Sequence, residues 1–133
     1  MRWSWWICPW DNQVAIDDAS VTGIDCSAIS KNIYLIWWYG EEGEILYKDR
    51  FAIREPFTDF KPLIRYFDAF IRQAQKAKQP ITLTQARFVK LRMIDALFVL
   101  RQAQDEQRLQ HKNAIAKLAT VDEIAAYDIT QGW

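Results

Sequence analysis

An α+β protein, a small antiparallel β-rich head followed by a helical part with one long helix, is the fold that the sequence predicts. Three observations carry it. Through residue 59 the apolar residues alternate in short runs bounded by turn residues; from residue 60 they recur three and four apart; and Pro80 to Ala119 runs without an internal Gly or Pro. At 133 residues, half of them hydrophobic and 14% aromatic, the chain is long enough to bury one substantial core and too apolar to be disordered. The division expected is residues 1–59 as an aromatic-rich antiparallel head and residues 60–133 as a helical region.

In the head, Trp3, Trp5 and Ile7 alternate with Ser4, Trp6 and Cys8 until Pro9 ends the strand. Asp11 and Asn12 supply a turn, Gln13 to Ile16 form a second short strand, and Val21 and Thr22 resume β character after Asp17 and Asp18. Asn32 to Tyr39 is nearly all β-branched or aromatic. With the Gly40 to Gly43 turn and the alternating run Glu44 to Arg50, it predicts a hairpin in which Trp37 and Trp38 point to opposite faces. Pro56 makes Arg50 to Asp59 a connector.

In the helical region, Phe60, Leu63, Ile64, Phe67, Phe70, Ile71 and Ala74 mark an amphipathic helix over about residues 60–77, with Pro62 tolerated in its first turn. Thr82 and Gln85 form a capping box that opens the long helix, about residues 83–119. Thr120 and Glu123 form another before a short helix over about residues 121–126. A continuous helix from Thr82 to Ala119 would reach about 55 Å, against a radius of gyration of about 14 Å for a globule of this size. It must therefore break in the polar run Arg101 to Asn113 or project. The seam Val89, Met93, Ala96 and Leu100, with a second patch at Ile115 and Leu118, is the predicted partner or oligomer interface, a homotrimer among its readings.

The net charge of zero hides an asymmetry: residues 1–59 carry five Lys/Arg and ten Asp/Glu (5 − 10 = −5), residues 60–133 twelve and seven (12 − 7 = +5). Lys61 to Arg92 holds eight cations against Asp68 alone, which reads as a solvated or docked helix face; neutrality overall argues against a nucleic-acid partner. No segment is apolar for long enough to span a membrane, and the N-terminus lacks the apolar run of a signal peptide. Cys8 and Cys26 read as buried free thiols.

Catalytic chemistry is sparse. His111, the one histidine, lies in a polar run and reads as a surface residue; Asp11, Asp17, Asp18 and Asp25 lack calcium-loop spacing; Glu41 and Glu42 sit in a turn, a poor place to raise a pKa; and the glycines are too scattered to cradle phosphate. No enzyme, metal or cofactor is expected. Aromatic surface is what remains, with Trp5, Trp6, Trp37 and Trp38 as binding candidates.

The blocks WSWWICPWDNQVAIDDASVTGIDCSAI, REPFTDFKPLIRYFDAFI and ITLTQARFVKLRMIDALF, with the closing TVDEIAAYDITQGW, resemble small tail-associated proteins of phages and prophages, described as tail-fibre assembly or tail proteins with a helical domain of unknown function. Where some relatives turn at an Arg-Gln-Ala-Pro sequence, Gln104 follows Arg101, Gln102 and Ala103 here. The resemblance implies a non-enzymatic protein that binds a tail-fibre or baseplate component, as assembly chaperone or retained subunit, in the bacterial host cytoplasm or the virion tail. The alternative expectation is a carbohydrate-binding module for host adsorption that uses exposed tryptophans.

Overall fold

A computed structural model describes residues 4–50, 53–101 and 105–131, with Leu100 and Arg101 as backbone only. The architecture is α+β: a six-stranded antiparallel sheet, then helices. The chain divides into two compact units, Met1–Asp59 and Phe60–Trp133.

In the first unit, β1 (Trp5–Cys8), β2 (Gln13–Ile16), β3 (Ala19–Val21), β4 (Ile33–Trp38), β5 (Gly43–Tyr47) and β6 (Arg54–Phe57) lie in the order β3-β2-β1-β4-β5-β6, every neighbour antiparallel. Pairing β1 with β4 sets the register of the whole sheet. One row reads Ala19, Ile16, Trp5, Trp38, Gly43, Phe57 across the six strands, and the adjacent row on that face reads Val21, Val14, Ile7, Ile36, Ile45, Glu55. The central members Trp5, Ile7, Val14, Ile16, Ile36 and Trp38 are all buried. The row between them, Ser20, Ala15, Trp6, Trp37, Glu44, Pro56, belongs to the opposite face.

Gly43 is there for space. A Cβ at this position would lie 2.5 Å from the Trp37 carbonyl oxygen and 2.8 Å from Phe57 Cε1, closer than atoms approach. Arg54–Phe57, expected as a connector, is a strand because it occupies the sheet edge, where Pro56 takes from the ladder no hydrogen bond that a central strand would need. A bulge between Ile33 and Leu35 sets Tyr34 outside the regular pairing with β5.

The second unit holds a 3-10 turn (Lys61–Leu63) running into α1 (Ile64–Ala74), then α2 (Leu83–Arg101), α3 (Asp105–Lys117) and α4 (Val121–Ala126). The capping box at Thr82 is complete, whereas at Thr120 only the hydroxyl cap is made and Glu123 Oε1 accepts from the Thr120 hydroxyl at 3.0 Å rather than from its N–H. The Gln85 N–H donates to Thr82 Oγ1 at 3.1 Å while the Thr82 N–H donates to Gln85 Oε1 at 2.9 Å, and the Glu123 N–H donates to Thr120 Oγ1 at 3.1 Å. The stretch expected as one long helix is two. Lys112 Nζ and Arg108 Nη1 reach Asp95 Oδ1 at 2.9 and 3.8 Å, and the Arg108 guanidinium lies 4.2 Å from the centre of the Phe98 ring. A continuous helix would hold residues 95 and 112 about 25 Å apart, so α2 and α3 fold back as a hairpin. Gln102, Ala103 and Gln104, between the two helices in sequence, lie outside the described residues.

Candidate functional site

The predicted interface is corrected by burial. Val89, Met93, Ala96 and Ile115 are buried within the chain and Leu118 is half-buried; α2 packs against α1, α3 and α4, which uses the seam internally. A stripe that reads as a two-chain seam is also what the centre of a helical unit looks like, and here it is the core. The Leu100 side chain lies outside the described residues.

The same unit spends its cations internally. Lys90 is fully buried; its Nζ donates to Asp68 Oδ1 at 2.6 Å and to the Ala125 carbonyl oxygen at 3.3 Å. Burial pushes the Lys90 ammonium below its ordinary pKa and the Asp68 carboxyl above its own, in each case against the pull of the partner charge. Arg87 Nη2 donates to the Leu118 carbonyl oxygen at 2.7 Å and Arg72 Nη2 to that of Ala125 at 3.5 Å. Part of the basic run is thus structural capping of α3 and α4. His111 is buried as well, contrary to its polar sequence context: Nε2 lies 2.7 Å from the Gln131 carbonyl oxygen and Nδ1 2.9 Å from the Tyr127 hydroxyl. A neutral ring donating from Nε2 and accepting at Nδ1 satisfies both. The residues that follow α4 cover it, an apposition that local sequence does not announce.

The aromatic candidates separate by strand parity. Trp5 and Trp38 are fully buried, so they are core residues and not binding surface. Trp6 and Trp37 face each other across β1 and β4 on the other face and are both part-exposed. Trp37 Nε1 donates to Ser4 Oγ, its ring meets Tyr39 edge-on at 5.9 Å, the Tyr39 hydroxyl donates to Glu44, and Glu44 pairs with Arg54 at 3.5 Å. The result is a part-exposed aromatic row whose Trp37 and Tyr39 rings are held in place by hydrogen bonds.

A second feature of this unit rests on a tryptophan that belongs to the aromatic surface read from the sequence but not to the four binding candidates. Trp10, in the 3-10 turn Pro9–Asp11 that follows β1, is 53% exposed and stacks on Tyr34 with ring centroids 5.7 Å apart and planes 19° from parallel. It lines a half-open pocket of about 410 Å³ together with Asn12, Asp25, Ser27, Lys31 and Lys48. The free Cys26 thiol also contributes; burial, then the nearby Asp25 carboxylate and Cys8, push its pKa up, which leaves it a poor nucleophile. A signal did exist, since a tryptophan between Pro9 and Asp11 occupies a turn, where rings are seldom core.

Comparison with protein-family models, curated proteins and solved structures gives no match. Among the described residues no group of three or more His, Cys, Asp or Glu side chains is arranged to hold a metal ion, and no helix is long and apolar enough to cross a membrane. What these surfaces can do chemically is bind: a rigid aromatic row suits a protein partner, and a pocket with charge of both signs suits a small polar ligand.

Proposed function

We propose that this is a non-enzymatic phage or prophage tail protein whose β head docks a tail-fibre or baseplate component, as an assembly chaperone or a retained subunit. The tail assignment rests on the sequence resemblance. The docking surface rests on one observation, the part-exposed Trp6 and Trp37 pair in register across β1 and β4. The Trp37 ring, already held by its hydrogen bond to Ser4, gives contact area with little rotamer entropy to lose on binding, and aromatic residues dominate the energetics of such interfaces. With the α2 seam buried, the head rather than the long helix carries the contact. Such a protein acts in the host cytoplasm during assembly and, if retained, in the virion tail.

The test is co-expression with the tail-fibre protein encoded beside it, followed by co-purification. The wild-type chain should bring the fibre protein down, and the Trp6→Ala, Trp37→Ala double variant should lose it while keeping its circular dichroism. A folded double variant that still co-purifies would remove the surface; a wild-type chain that retains no tail protein would remove the function.

A further inference from the structure

The pocket beside Trp10 shares no lining residue with the Trp6, Trp37 and Tyr39 row. We propose that it is a binding site for an acidic sugar, a hydroxylated ring carrying a carboxylate or phosphate group. Its stacking platform is already assembled: the Trp10 ring rests on Tyr34, the residue at the β4 bulge, and still exposes about half its surface. A ring fixed before the ligand arrives loses little entropy on binding, and its apolar face matches the C–H face of a sugar.

The charges around the platform are unusual for the unit that holds them. Residues 1–59 carry five cations against ten carboxylates (5 − 10 = −5), yet two of the five, Lys31 and Lys48, line this one pocket. Neither is in an ion pair among the described residues. Their proximity is built into the backbone. The Lys48 N–H donates to the Asn32 carbonyl oxygen at 2.7 Å and Asn32 Nδ2 donates to Asp49 Oδ1 at 3.2 Å, tying the chain entering β4 to the chain leaving β5. Two lysines whose backbones are brought to one pocket of an acidic unit make a local seat for an anion.

The opposite side of the pocket is set by Asn12, whose backbone is left-handed (φ 48°). Its carbonyl oxygen accepts the Ile24 N–H at 3.0 Å and its Oδ1 the Cys26 N–H at 3.4 Å, which anchors the 24–27 loop and leaves the amide NH₂ as a pair of donors. Asp25, whose Oδ1 accepts the Ser27 N–H at 3.0 Å, adds a carboxylate. A bare anion drawn to the lysines is repelled by Asp25, whereas ring hydroxyls can donate to it. The mixed set therefore selects a ligand that is both anionic and hydroxylated. The volume of about 410 Å³ falls in the roughly 300–1,000 Å³ range of small-molecule sites. The tryptophan-based carbohydrate surface expected at Trp5, Trp6, Trp37 and Trp38 is thereby moved to a different tryptophan.

The test is a titration of the ¹⁵N-labelled full chain with glucuronic acid, glucose 6-phosphate, glucose and inorganic phosphate, following the Trp10 indole and Asn12 amide resonances. At least one acidic sugar should bind about tenfold more tightly than both glucose and phosphate, the margin of one charge-assisted contact added to stacking. Trp10→Ala and the Lys31→Gln, Lys48→Gln double variant should each weaken it by about tenfold, and Trp37→Ala should leave it unchanged. The proposal fails if neither acidic sugar outcompetes glucose and phosphate, if the shifts fall away from the pocket, or if the exposed double-lysine variant, whose fold the same spectrum verifies, binds as the wild type does. Fibre co-purification by the lysine variant separates the two sites: it should be unaffected.

Discussion

The two units fix their cores by opposite means. In the head, every buried side chain of the described residues is apolar or a thiol, while in the helical unit Lys90 and His111 are buried and both hydrogen-bonded. The difference follows from how each kind of element sets its register. A slip of one residue in a sheet would turn every side chain over, so the ladder from Trp5 opposite Trp38 outward specifies the head without polar help. Helices can slide and rotate at small cost along an apolar contact. α3 brings only Ile115 and His111 into the core among its described residues, so position must come from directional bonds: Lys90 to Asp68 and Ala125, Arg87 to Leu118, His111 to Tyr127 and Gln131.

The sharpest test of that contrast removes one half of the buried pair. Lys90→Ala leaves the Asp68 carboxyl largely buried without its partner and should cost about 3–5 kcal/mol, while Trp38→Ala should cost the head a similar 3–5 kcal/mol through its cavity. Urea unfolding followed by residue-resolved NMR should place each loss in its own unit; a Lys90→Ala chain with unchanged stability would end the argument from polar anchoring. Replacing both partners, Lys90→Met with Asp68→Leu, should be neutral or stabilising by up to about 4 kcal/mol, yet broaden the helical resonances and spare those of the sheet. Next in size, Gly43→Ala should cost about 1–3 kcal/mol, because the new methyl meets the Trp37 carbonyl and the Phe57 ring. His111→Ala should cost about 1–3 kcal/mol by deleting two hydrogen bonds of a buried ring, with the Tyr127 and Gln131 amides exchanging faster. Thr120→Ala, which removes one cap, should cost only about 1 kcal/mol by thermal denaturation.

The pair also predicts a pH profile. Lys90 binds fewer protons folded than unfolded, because its folded pKa is lowered, so its contribution to stability rises with pH between that folded value and the ordinary value of about 10.4. Asp68, with its folded pKa raised, binds more protons folded than unfolded; its contribution rises as pH falls from that raised value toward the ordinary value of about 3.9. Relative to the double variant, the wild type should therefore gain stability at both extremes. A difference curve that is flat in urea midpoint against pH would show that burial does not outweigh the pair's attraction.

Much of this was legible in the chain. The hairpin around Gly40 to Gly43, the capping residues Thr82 and Thr120 and the opposite facing of Trp37 and Trp38 depend on neighbours in sequence, and short-range rules reach them. The reversal between α2 and α3 was not, because the polar run Arg101 to Asn113 serves equally well as a wet helix and as a place to turn. Pro56 misled for the same reason, since it forbids a central strand and not an edge one. The Trp10 pocket gathers residues 10–12, 25–31 and 48, and only the β1 to β4 pairing brings them together. His111 is buried by residues up to twenty positions away.

The bonds from α2 to the last turns of α3 and α4 also order events during synthesis. Arg87 waits for a carbonyl 31 residues downstream and Lys90 for one 35 residues downstream. The head has every strand in hand by Phe57, so a nascent chain can complete its sheet while Lys90 still has only the upstream Asp68 to bond. The helical unit can therefore complete its bonding only after α4 has been made.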